Sequence, residues 1–389
     1  VRQCREYEVL LKHLALIGST GSIGRQVLQV VRSIPDTFII ETLAAYGRNQ
    51  EALISQIREF NPRVVAVREE TTYKELRKLF PHIEILLGEE GLVSVATEPS
   101  VTMTIVASSG IDALPAVIAA IRQKKTIALA NKESLVAAGE LVTTLARENG
   151  VQILPIDSEH NALFQCLEGR DSSTIKKLLL TASGGPLRNK SKEELQKVSL
   201  QEVLRHPVWN MGPKITVDSS TLVNKGLEII EAFWLFGLEA VEIEAVIHPQ
   251  SLVHGMVEFC DGTILSVMNP PSMLFPIQHV LTFPERSPAI GPGFDFLSNR
   301  TLEFFPIDED RFPSVHLAKR VLLEKGSMGC FFNGANEALV HRFLAGEISW
   351  HQIVPKLQAL VDQHRVQSCL SLEEILSVDA EARARAQEC

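Results

Sequence analysis

Short apolar runs alternate with amphipathic stretches through residues 14–156. The run Leu14–Ile17 predicts a buried strand, and the segment after it repeats apolar residues at helical spacing as far as Ile34. Further strands are predicted at 38–45, 64–67, 83–87, 103–107, 126–129 and 151–156, with helical patterns between them. This order predicts βαβ units, and therefore an α/β domain whose helices cover both faces of a doubly wound parallel sheet.

The pattern changes after residue 156. A strand is predicted at 175–181, and strands at 252–259 and 263–268 flank an Asp-Gly pair typical of a tight hairpin. Two capping boxes, Ser191 with Glu194 and Ser199 with Glu202, predict short helices before an irregular segment at 206–213. This region should be α+β, and the open face of its antiparallel sheet leads us to expect a homodimer.

The last part of the chain is predicted to be helical. Residues 284–312 are rich in Pro and Gly, as in a linker, and residues 313–389 have a helical period. Capping boxes at Ser349 and Ser371 predict two helix starts. The Ala- and Arg-rich segment Asp379–Gln387 is expected to be an exposed, fraying helix.

Composition excludes several classes of protein. The 389 residues, 45% hydrophobic and 22% charged, are typical of a globular protein with two or three domains. The net charge is −9 without a basic stripe, which argues against a nucleic-acid partner. Six scattered cysteines with no Cys-x-x-Cys predict neither disulfides nor a zinc site. No apolar run reaches the roughly 18 residues of a membrane span, and residues 1–12 lack a signal-peptide core, so we expect a cytoplasmic protein without a membrane partner.

A glycine-rich loop follows the first predicted strand and opens a helix. Gly18, Gly21 and Gly24 permit a tight turn and a close approach to a pyrophosphate, although their spacing is G-x-x-G-x-x-G. An ordinary βα turn is the alternative. The second strand ends without an acid that could bind a ribose hydroxyl, and Arg48 and Asn49 follow it, which favours NADP over NAD. Arg48 could equally be a solvated loop charge.

Two further segments carry candidate chemistry. Lys132 and Glu133 open a helix directly after a strand, where ligand sites of such sheets lie, although Glu133 could simply interact with the helix dipole. Asp157 and Glu159 alternate on chain predicted to be extended, with a helix from about His160. A Ser/Thr-rich turn at 217–221 precedes a helix that carries Glu228.

On that second helix Asn224 and Lys225 share the face of Glu228. The carboxylates Asp157, Glu159 and Glu228 suit Mg²⁺ or Mn²⁺, and the neighbouring Ser, Asn and Lys residues suit a phosphate. In the plain alternatives, Asp157 is only a helix cap, and Glu228 and Glu231 form a solvated helix face.

Taken together, these segments resemble the 1-deoxy-D-xylulose 5-phosphate reductoisomerase family. The motifs occur in order and span nearly the whole chain: GSTGSIG at 18–24, LANKESLV at 129–136, PIDSEHNA at 155–162, TASGGP at 181–186, HPVWNMG at 206–212, VDSSTLVNKGLEIIEA at 217–232 and IHPQSLVHGMV at 247–257. The resemblance implies rearrangement of 1-deoxy-D-xylulose 5-phosphate and reduction by NADPH to 2-C-methyl-D-erythritol 4-phosphate, in non-mevalonate isoprenoid biosynthesis.

The resemblance also implies a domain organisation. A Rossmann-like NADPH-binding domain would occupy 1–156, and a catalytic and dimerisation domain would occupy 157–290 with a flap around 183–213. A linker at 291–312 and a C-terminal helical domain at 313–389 would follow.

The same resemblance assigns roles to individual residues. Asp157, Glu159 and Glu228 would bind the metal, and the catalytic group would be Lys132, Ser158, Glu159 and His206. The substrate would contact Lys132, Ser158, Glu159, Ser183, His206, Trp209, Ser219, Asn224, Lys225, Glu228 and Met273, with the phosphate-binding residues apart from the metal ligands. NADPH would contact Thr20, Gly21, Ser22, Ile23, Gly47, Arg48, Asn49, Asn131, Glu133 and Gly212.

One loop departs from the family pattern. The family has Pro-Asp-Met in the second loop, whereas this chain has Ser272 between Pro271 and Met273. We expect this change to affect loop rigidity or local hydrogen bonding and not the reaction. His254 also matches a family histidine, and we expect a structural role for it. The rival functions are an NADP-dependent aldehyde dehydrogenase that performs no rearrangement and a non-catalytic NADP sensor.

Overall fold

The computed structural model describes residues 11–237, 243–298, 301–368 and 371–389. It divides into two compact units. The first comprises the described part of Val1–Asn131 with Leu145–Leu154 and Ile277–Ile290, and the second comprises the described parts of Lys132–Thr144, Pro155–Pro276 and Gly291–Cys389.

A seven-stranded parallel sheet, which confirms the predicted fold class, organises the N-terminal part of the chain. Its strands are β1 (Lys12–Ile17), β2 (Phe38–Ala45), β3 (Val64–Val67), β4 (Glu84–Leu87), β5 (Met103–Val106), β6 (Thr126–Leu129) and β7 (Ile153–Pro155). The helices between them are α1 (Ser22–Ser33), α2 (Gln50–Phe60), α3 (Glu70–Leu79), α4 (Gly88–Thr97), α5 (Leu114–Arg122) and α6 (Lys132–Asn149). The strand order β4-β3-β2-β1-β5-β6-β7 reverses between β1 and β5, which is where such sheets bind ligands.

The central strand explains why the sheet is covered on both faces. Leu14, Ala15 and Leu16 are fully buried, and Ile17 is nearly so. Successive residues of a strand point to opposite faces, so burial of all four requires helices on each side of the sheet.

A smaller mixed sheet forms the centre of the second unit. Its strands are β8 (Ile175–Ala182), β9 (Ile243–Ile247), β10 (Val253–Phe259) and β11 (Ile264–Met268), in the order β11-β10-β8-β9. Strand β10 is antiparallel to both β11 and β8, while β8 and β9 are parallel. The predicted hairpin turn is present, and the Asp261 carboxylate stabilises it by accepting a hydrogen bond from the Thr263 amide at 2.8 Å.

The other helices lie around this sheet or follow it in the chain. They are α7 (Ser158–Leu167), α8 (Lys192–Leu195), α9 (Leu200–Val203), α10 (Pro213–Thr221), α11 (Val223–Phe236), α12 (Leu274–Thr282), α13 (Ser314–Glu324), α14 (Met328–Leu344), α15 (Trp350–Gln363) and α16 (Leu372–Glu388). All four predicted capping boxes are present, which confirms the predicted starts of α8, α9, α15 and α16. The described residues between 291 and 312 contain no helix, and their one strand-like contact pairs Phe305 with Ile247.

Three local predictions are wrong. Helix α7 begins at Ser158 and not near His160, so Asp157 and Glu159 do not alternate on an extended strand. Residues 217–221 are the last turns of α10 and not an irregular turn. Both errors arise because polar residues near helix ends resemble loop sequence, while the backbone can still complete its helical hydrogen bonds.

The third error concerns the end of the chain. The segment Asp379–Gln387 belongs to α16, and Asp379, Ala382 and Ala386 are buried. Arg383 pairs with Glu337 at 2.6 Å and with Asp379 at 2.5 Å. Small alanines allow one face of this helix to lie close to a neighbour, while Ala380, Glu381, Ala384 and Gln387 are exposed. The predicted helix is therefore confirmed, and its predicted exposure is wrong for the packed face.

Two features of the described residues bear on the excluded classes. None of the helices in this part of the chain is both long and apolar enough to cross a membrane. The described cysteines Cys166, Cys260 and Cys389 are free thiols, and Cys330 Sγ donates to the Ile375 carbonyl at 3.2 Å. Cys4 and Cys369 lie outside the described residues.

Candidate active site

Three carboxylates converge in the second unit. Asp157 is the N-cap of α7 and accepts a hydrogen bond from the Ser158 amide at 3.0 Å, and Glu159 lies in the first turn of the same helix. Glu228 extends from α11 and is 1% exposed. One ligand atom from each of Asp157, Glu159 and Glu228 lies within 4.8 Å of the other two. Oxygen donors at this spacing suit a hard divalent cation such as Mg²⁺ or Mn²⁺.

Two buried lysines lie among these carboxylates. Lys132 Nζ lies 2.8 Å from Asp157 Oδ2 and 3.2 Å from Glu228 Oε1. Lys225 Nζ lies 2.8 Å from Glu159 Oε1 and also donates to the Glu228 carboxylate. The ammonium groups offset the negative charge that three clustered carboxylates would otherwise concentrate in the interior. A cation bound to the carboxylates would take over this compensation and leave both ammonium groups for substrate oxygens.

The carboxylates of this cluster differ in proton affinity. Burial, followed by the negative charge of Glu159, raises the pKa of Glu228 to about 7. Burial acts in the same direction on Glu159, but the Lys225 ammonium outweighs it and lowers the pKa of Glu159 to about 2. Metal ligands must be deprotonated, so a cation has to displace a proton chiefly from Glu228.

A histidine and a fourth carboxyl lie next to the cluster. His160 Nε2 donates to the Glu228 backbone carbonyl at 2.8 Å, so the unprotonated Nδ1 lies 3.5 Å from Glu231 Oε2. Ligand atoms of Asp157, His160 and Glu231 also lie within 4.8 Å of one another. Burial raises the pKa of Glu231 well above its ordinary range, which keeps it a neutral carboxyl and a poor metal ligand. The three-carboxylate group is therefore the better cation site.

The structure distinguishes between the alternative interpretations of Glu228, Glu231 and Asp157. Glu228 and Glu231 are 1% and 0% exposed, so a solvated helix face is excluded. Asp157 does cap a helix, as its plain alternative held, and its second oxygen also contacts Lys132. Nothing in the sequence around Glu231 marked it as part of the site, except that it lies one helical turn beyond Glu228.

Ser183 and His206 form a second polar group. His206 Nδ1 accepts hydrogen bonds from the amides of Val208 at 3.2 Å and Trp209 at 2.8 Å. The ring proton must therefore lie on Nε2, which donates to Ser183 Oγ at 3.0 Å. The Gly185 amide donates to the same hydroxyl at 3.1 Å. Ser183 thus accepts twice, and its own proton is left to donate to an anion.

The loop after β8 brings this group to Ser219. Gly185 has φ +69°, and a Cβ there would lie 2.5 Å from the Ser219 carbonyl oxygen. Only a glycine lets the loop pack so closely against the last turn of α10. Ser183, His206 and Ser219 therefore belong to one neighbourhood.

Asn224 connects the predicted phosphate residues to the carboxylates. Its Oδ1 accepts from Lys132 Nζ at 2.9 Å, and its Nδ2 donates to Glu228. Lys225 contacts two of the proposed metal ligands. In this structure Asn224 and Lys225 are therefore joined to the proposed metal ligands and do not lie apart from them.

Two loops carry the residues predicted to cover a ligand. Trp209 is half-buried, with its ring centroid 6.2 Å from that of His254. His254 Nε2 in turn contacts the Asn269 carbonyl at 3.2 Å, at the start of the second loop. The sequence did not define a role for His254 in the site. In the structure, His254 links the two loops. Met273 directly precedes α12.

Ser272 has a defined local role in the second loop. Its Oγ accepts a hydrogen bond from the Leu274 amide at 3.3 Å, at the first residue of α12. Serine and aspartate both cap helices in this way. The departure from the family pattern thus falls on a helix cap.

The glycine loop of the first unit has the geometry of a phosphate cradle. Gly18 has φ +86°, and a Cβ there would lie 2.7 Å from the Ala107 backbone. The loop continues through Thr20 and Gly21 into α1, whose first residues are Ser22 and Ile23. The first turn of a helix leaves amides without intrahelical partners, and these attract anions.

Arg48, just after β2, fits both a solvated loop charge and a phosphate-binding residue. Its guanidinium lies 4.0 Å from the centroid of the Tyr46 ring, on an exposed surface. The Asn49 side chain caps α2 by accepting from the Ala52 amide at 3.3 Å, and the Gly47 carbonyl accepts from Thr72. An arginine held flat against a ring near a helix start is suited to a phosphate.

The remaining cofactor candidates make contacts within the protein. Asn131 Nδ2 donates to the carbonyls of Ser108 at 2.8 Å and Gly110 at 2.7 Å. Glu133 Oε1 lies 3.1 Å from Lys214 Nζ, and this ammonium holds the pKa of Glu133 below its ordinary value although burial raises it. Gly212 is the N-cap of α10.

Comparison with protein families gives matches along most of the chain. The models described as "1-deoxy-D-xylulose 5-phosphate reductoisomerase", "1-deoxy-D-xylulose 5-phosphate reductoisomerase C-terminal domain" and "DXP reductoisomerase C-terminal domain" match residues 14–139, 153–236 and 268–385. They follow one another in the order of the chain.

Curated relatives are similar over almost their full length. The 1-deoxy-D-xylulose 5-phosphate reductoisomerase of Chlamydia trachomatis serovar L2 is 99% identical over 379 residues, which cover 97% of this chain and 100% of the relative. The enzyme of the same name from Chlamydia muridarum is 83% identical with the same coverage.

Solved structures are similar in fold as well. A crystal structure of DOX-P reductoisomerase in complex with NADPH, fosmidomycin and magnesium is 37% identical with a TM-score of 0.92, covering 97% of this chain and 98% of that one. The Zymomonas mobilis enzyme in complex with NADPH is 35% identical with a TM-score of 0.91 and the same coverage.

Proposed function

The chain belongs to the 1-deoxy-D-xylulose 5-phosphate reductoisomerase family, and we propose that it carries out this reaction at the carboxylate cluster of its second unit. The observation that carries the proposal is the convergence of Asp157, Glu159 and Glu228 beside the ammonium groups of Lys132 and Lys225. An NADP sensor would have no need of this buried cluster, nor would a dehydrogenase that only transfers hydride.

The protein's own groups suit the two parts of the reaction. The rearrangement of an α-hydroxy ketone develops charge on adjacent oxygens, which a bound Mg²⁺ or Mn²⁺ would stabilise as a Lewis acid. We assign Asp157, Glu159 and Glu228 to that cation, and Lys132 to the reacting oxygens. Ser158, whose hydroxyl donates to Glu159 at 2.6 Å, would orient that carboxylate and contact the substrate.

The phosphate would be bound by side chains that can donate hydrogen bonds or carry a positive charge. The Ser183 hydroxyl has a proton that it can donate, and Lys225 carries a positive charge, while His206 Nε2–H holds the Ser183 hydroxyl in place. Ser219 and Asn224 complete this group. Binding the phosphate can hold Trp209 and Met273 over the substrate, because binding energy from a non-reacting group can close a lid and exclude water.

We assign the pyrophosphate and adenosine parts of the cofactor to the first unit. NADPH supplies the hydride, and the protein binds and orients it. The loop Thr20–Ile23 would hold the pyrophosphate, and Gly47, Arg48 and Asn49 would hold the adenosine 2′-phosphate. Asn131, Glu133 and Gly212 remain candidates for the nicotinamide side.

Three further properties are part of this proposal. Either Mg²⁺ or Mn²⁺ would serve as the cation, and the protein would work in the cytoplasm as a homodimer, with the four-part domain division given above. The described apolar side chains of the 294–305 segment support self-association, because several of them are exposed to solvent. Exposed apolar surface of this kind marks interaction sites.

The test is oxidation of NADPH with 1-deoxy-D-xylulose 5-phosphate, followed by the loss of nicotinamide absorbance. The protein is first stripped of metal with a chelator and then supplied with Mg²⁺ or Mn²⁺. We expect turnover only with metal, and 2-C-methyl-D-erythritol 4-phosphate as the product. Turnover without metal would remove the assigned role of the three carboxylates. Binding of NADPH without any turnover would favour the sensor or the simple dehydrogenase.

A further inference from the structure

The last turn of α10 and the start of α11 carry proposed phosphate ligands on one side only. Ser219, Asn224 and Lys225 are those ligands, and the chain between them reverses at Leu222, whose φ is +58°. A leucine in this left-handed conformation is strained, and such strain persists only where surrounding contacts hold it. Those contacts come from the C-terminal helices.

Asp218, Ser220 and Thr221, which flank Ser219, each accept a hydrogen bond from one of the C-terminal helices. Asn336 Nδ2, on α14, donates to Asp218 Oδ1 at 2.9 Å. Trp350 Nε1, on α15, donates to Ser220 Oγ at 2.8 Å. These donors and acceptors are buried, so water cannot replace them without cost.

Helix α13 supplies the third bond. Ser314 Oγ donates to the Thr221 carbonyl at 2.6 Å, directly before the strained Leu222. The Ser220 hydroxyl, which accepts from Trp350, donates its own hydrogen bond to the Val217 carbonyl at 2.6 Å. Three helices distant in sequence thus hold the side chains of Asp218 and Ser220, on the two sides of Ser219, and the backbone at Thr221.

We propose that Ser314, Asn336 and Trp350 are positioning residues that set the affinity of the phosphate subsite. None of them touches the carboxylates or the lysines of the site in the described structure. They act by holding Ser219 and the α10–α11 reversal in the arrangement that places Asn224 and Lys225. The inference rests on the proposed phosphate role of these ligands.

Positioning residues of this kind should affect the binding of the substrate and not the chemical step. Loosening the reversal should weaken ground-state and transition-state binding of the phosphate alike, which raises KM and changes kcat little. Two metal ligands are on α7, and the third, Glu228 on α11, is also held by Lys132 and by the His160 hydrogen bond to its carbonyl. The cofactor loop is held by other contacts. NADPH affinity should therefore stay constant, and metal affinity should change much less than the KM for the phosphorylated substrate.

The test uses Ser314→Ala and Trp350→Phe in the full-length enzyme with saturating metal. We expect each to raise the KM for 1-deoxy-D-xylulose 5-phosphate several-fold, with kcat within about twofold of the parent, as expected for uniform binding. The KM for NADPH should not change, and the Mn²⁺ dependence should change much less than the KM for 1-deoxy-D-xylulose 5-phosphate. Phenylalanine keeps the ring that packs against Phe312, so Trp350→Phe removes chiefly the hydrogen bond.

Ser327→Ala is the matched control. Ser327 is also a fully buried serine of the C-terminal region, and its hydroxyl pairs with His364 at 2.8 Å, away from residues 218–221. It should lower the melting temperature to a similar extent as Ser314→Ala and leave the KM unchanged. An equal rise in KM for Ser327→Ala would mean general loosening and would overturn the proposal.

A second comparison separates this inference from the function on which it rests. Lys225→Ala removes a proposed phosphate ligand directly. If Lys225→Ala raises the KM and neither Ser314→Ala nor Trp350→Phe does, the positioning role is wrong and the phosphate site stands. If Lys225→Ala leaves the KM unchanged, the phosphate assignment itself is wrong. Should one positioning variant fail to fold, the other decides.

Discussion

Glu159 and Glu228 both contact the ammonium of Lys225, yet they hold protons very differently. The pKa of Glu159 is lowered to about 2 by Lys225 despite its burial, whereas burial and the neighbouring Glu159 raise the pKa of Glu228 to about 7. Near neutral pH, Glu228 is therefore only partly ionised until a cation binds. Cation binding at this site should release protons and should weaken as the pH falls below 7.

Glu228→Gln tests this assignment at the residue scale. The amide keeps the shape but cannot supply an anionic ligand, so we expect metal affinity and turnover to fall by roughly a hundredfold or more. NADPH affinity, measured by fluorescence titration, should be nearly unchanged. The control is Glu244→Gln, which removes a surface carboxylate paired with Lys177 and should have no effect on metal binding. Equal loss of NADPH binding in Glu228→Gln would refute the separation of the two sites.

His206 gives a prediction about pH. Burial, followed by the positive charge of Arg188, lowers the pKa of His206 to about 4. Its folded pKa is below the unfolded value of about 6.5, so its neutral form stabilises the fold above that pH. The contribution is lost as the pH falls from about 6.5 towards 4, because the unfolded state then binds the proton more readily.

The measurement is ¹⁵N NMR of labelled histidine, with His206→Gln used to assign the signal. We expect a proton on Nε2 and none on Nδ1 at neutral pH, with no titration of this ring between pH 7 and about pH 5. A ring that titrates near pH 6.5 would contradict the hydrogen-bond assignment between the Val208 and Trp209 amides and Nδ1.

At the scale of elements, the site depends on how closely a loop approaches a helix. The loop after β8 can lie against α10 because Gly185 has no side chain. Gly169 has nearly the same backbone angle, φ +70°, but nothing lies within 4 Å of the position its Cβ would occupy. The two glycines therefore separate backbone strain from steric contact.

Gly185→Ala and Gly169→Ala form the corresponding pair of variants. Each substitution should lower the free energy of unfolding by the strain of a side chain at positive φ, about 1–2 kcal/mol. Gly185→Ala should also push the loop away from Ser219, so we expect a larger fall in the free energy of unfolding and a raised KM for the phosphorylated substrate. Urea denaturation and steady-state kinetics measure the two effects. Similar results for both variants would show that the close approach does not matter.

For the whole molecule, the exposed apolar side chains near the predicted linker argue for a second copy as partner. Phe296 and Leu297 are 73% and 97% exposed, and Phe304 and Phe305 remain nearly half exposed. A stable monomer would gain little from such residues, while burying them between two copies is favourable.

Sedimentation equilibrium tests this. A Phe296→Ser, Leu297→Ser double variant should shift the protein from dimer towards monomer, since it removes apolar area from the proposed contact. Leu323→Ser is the control, because Leu323 on α13 is also 64% exposed but lies outside the segment. A parent protein that is monomeric at micromolar concentration would remove the proposal. A dimer untouched by the double variant would move the interface elsewhere.

The sequence by itself determined those features whose causes are local. The apolar run at Leu14–Ile17 with its glycine loop, the Asp261-Gly262 hairpin and the four capping boxes each depend on residues a few positions apart, and each was predicted correctly. The family motifs identified the chemistry for a similar reason, since each motif is a short stretch that can be recognised without knowing its partners.

The tertiary structure alone decided which of these stretches lie together and which of their carboxyl groups hold a proton. Asp157 and Glu228 converge from different helices, and burial together with the neighbouring Glu159 makes Glu228 hold a proton near neutral pH. The same long-range packing buried one face of the Asp379–Gln387 segment, which was predicted to be exposed, and set Ser314, Asn336 and Trp350 against the α10–α11 reversal. Burial and charge coupling depend on neighbours distant in sequence, so no periodicity or motif contains them.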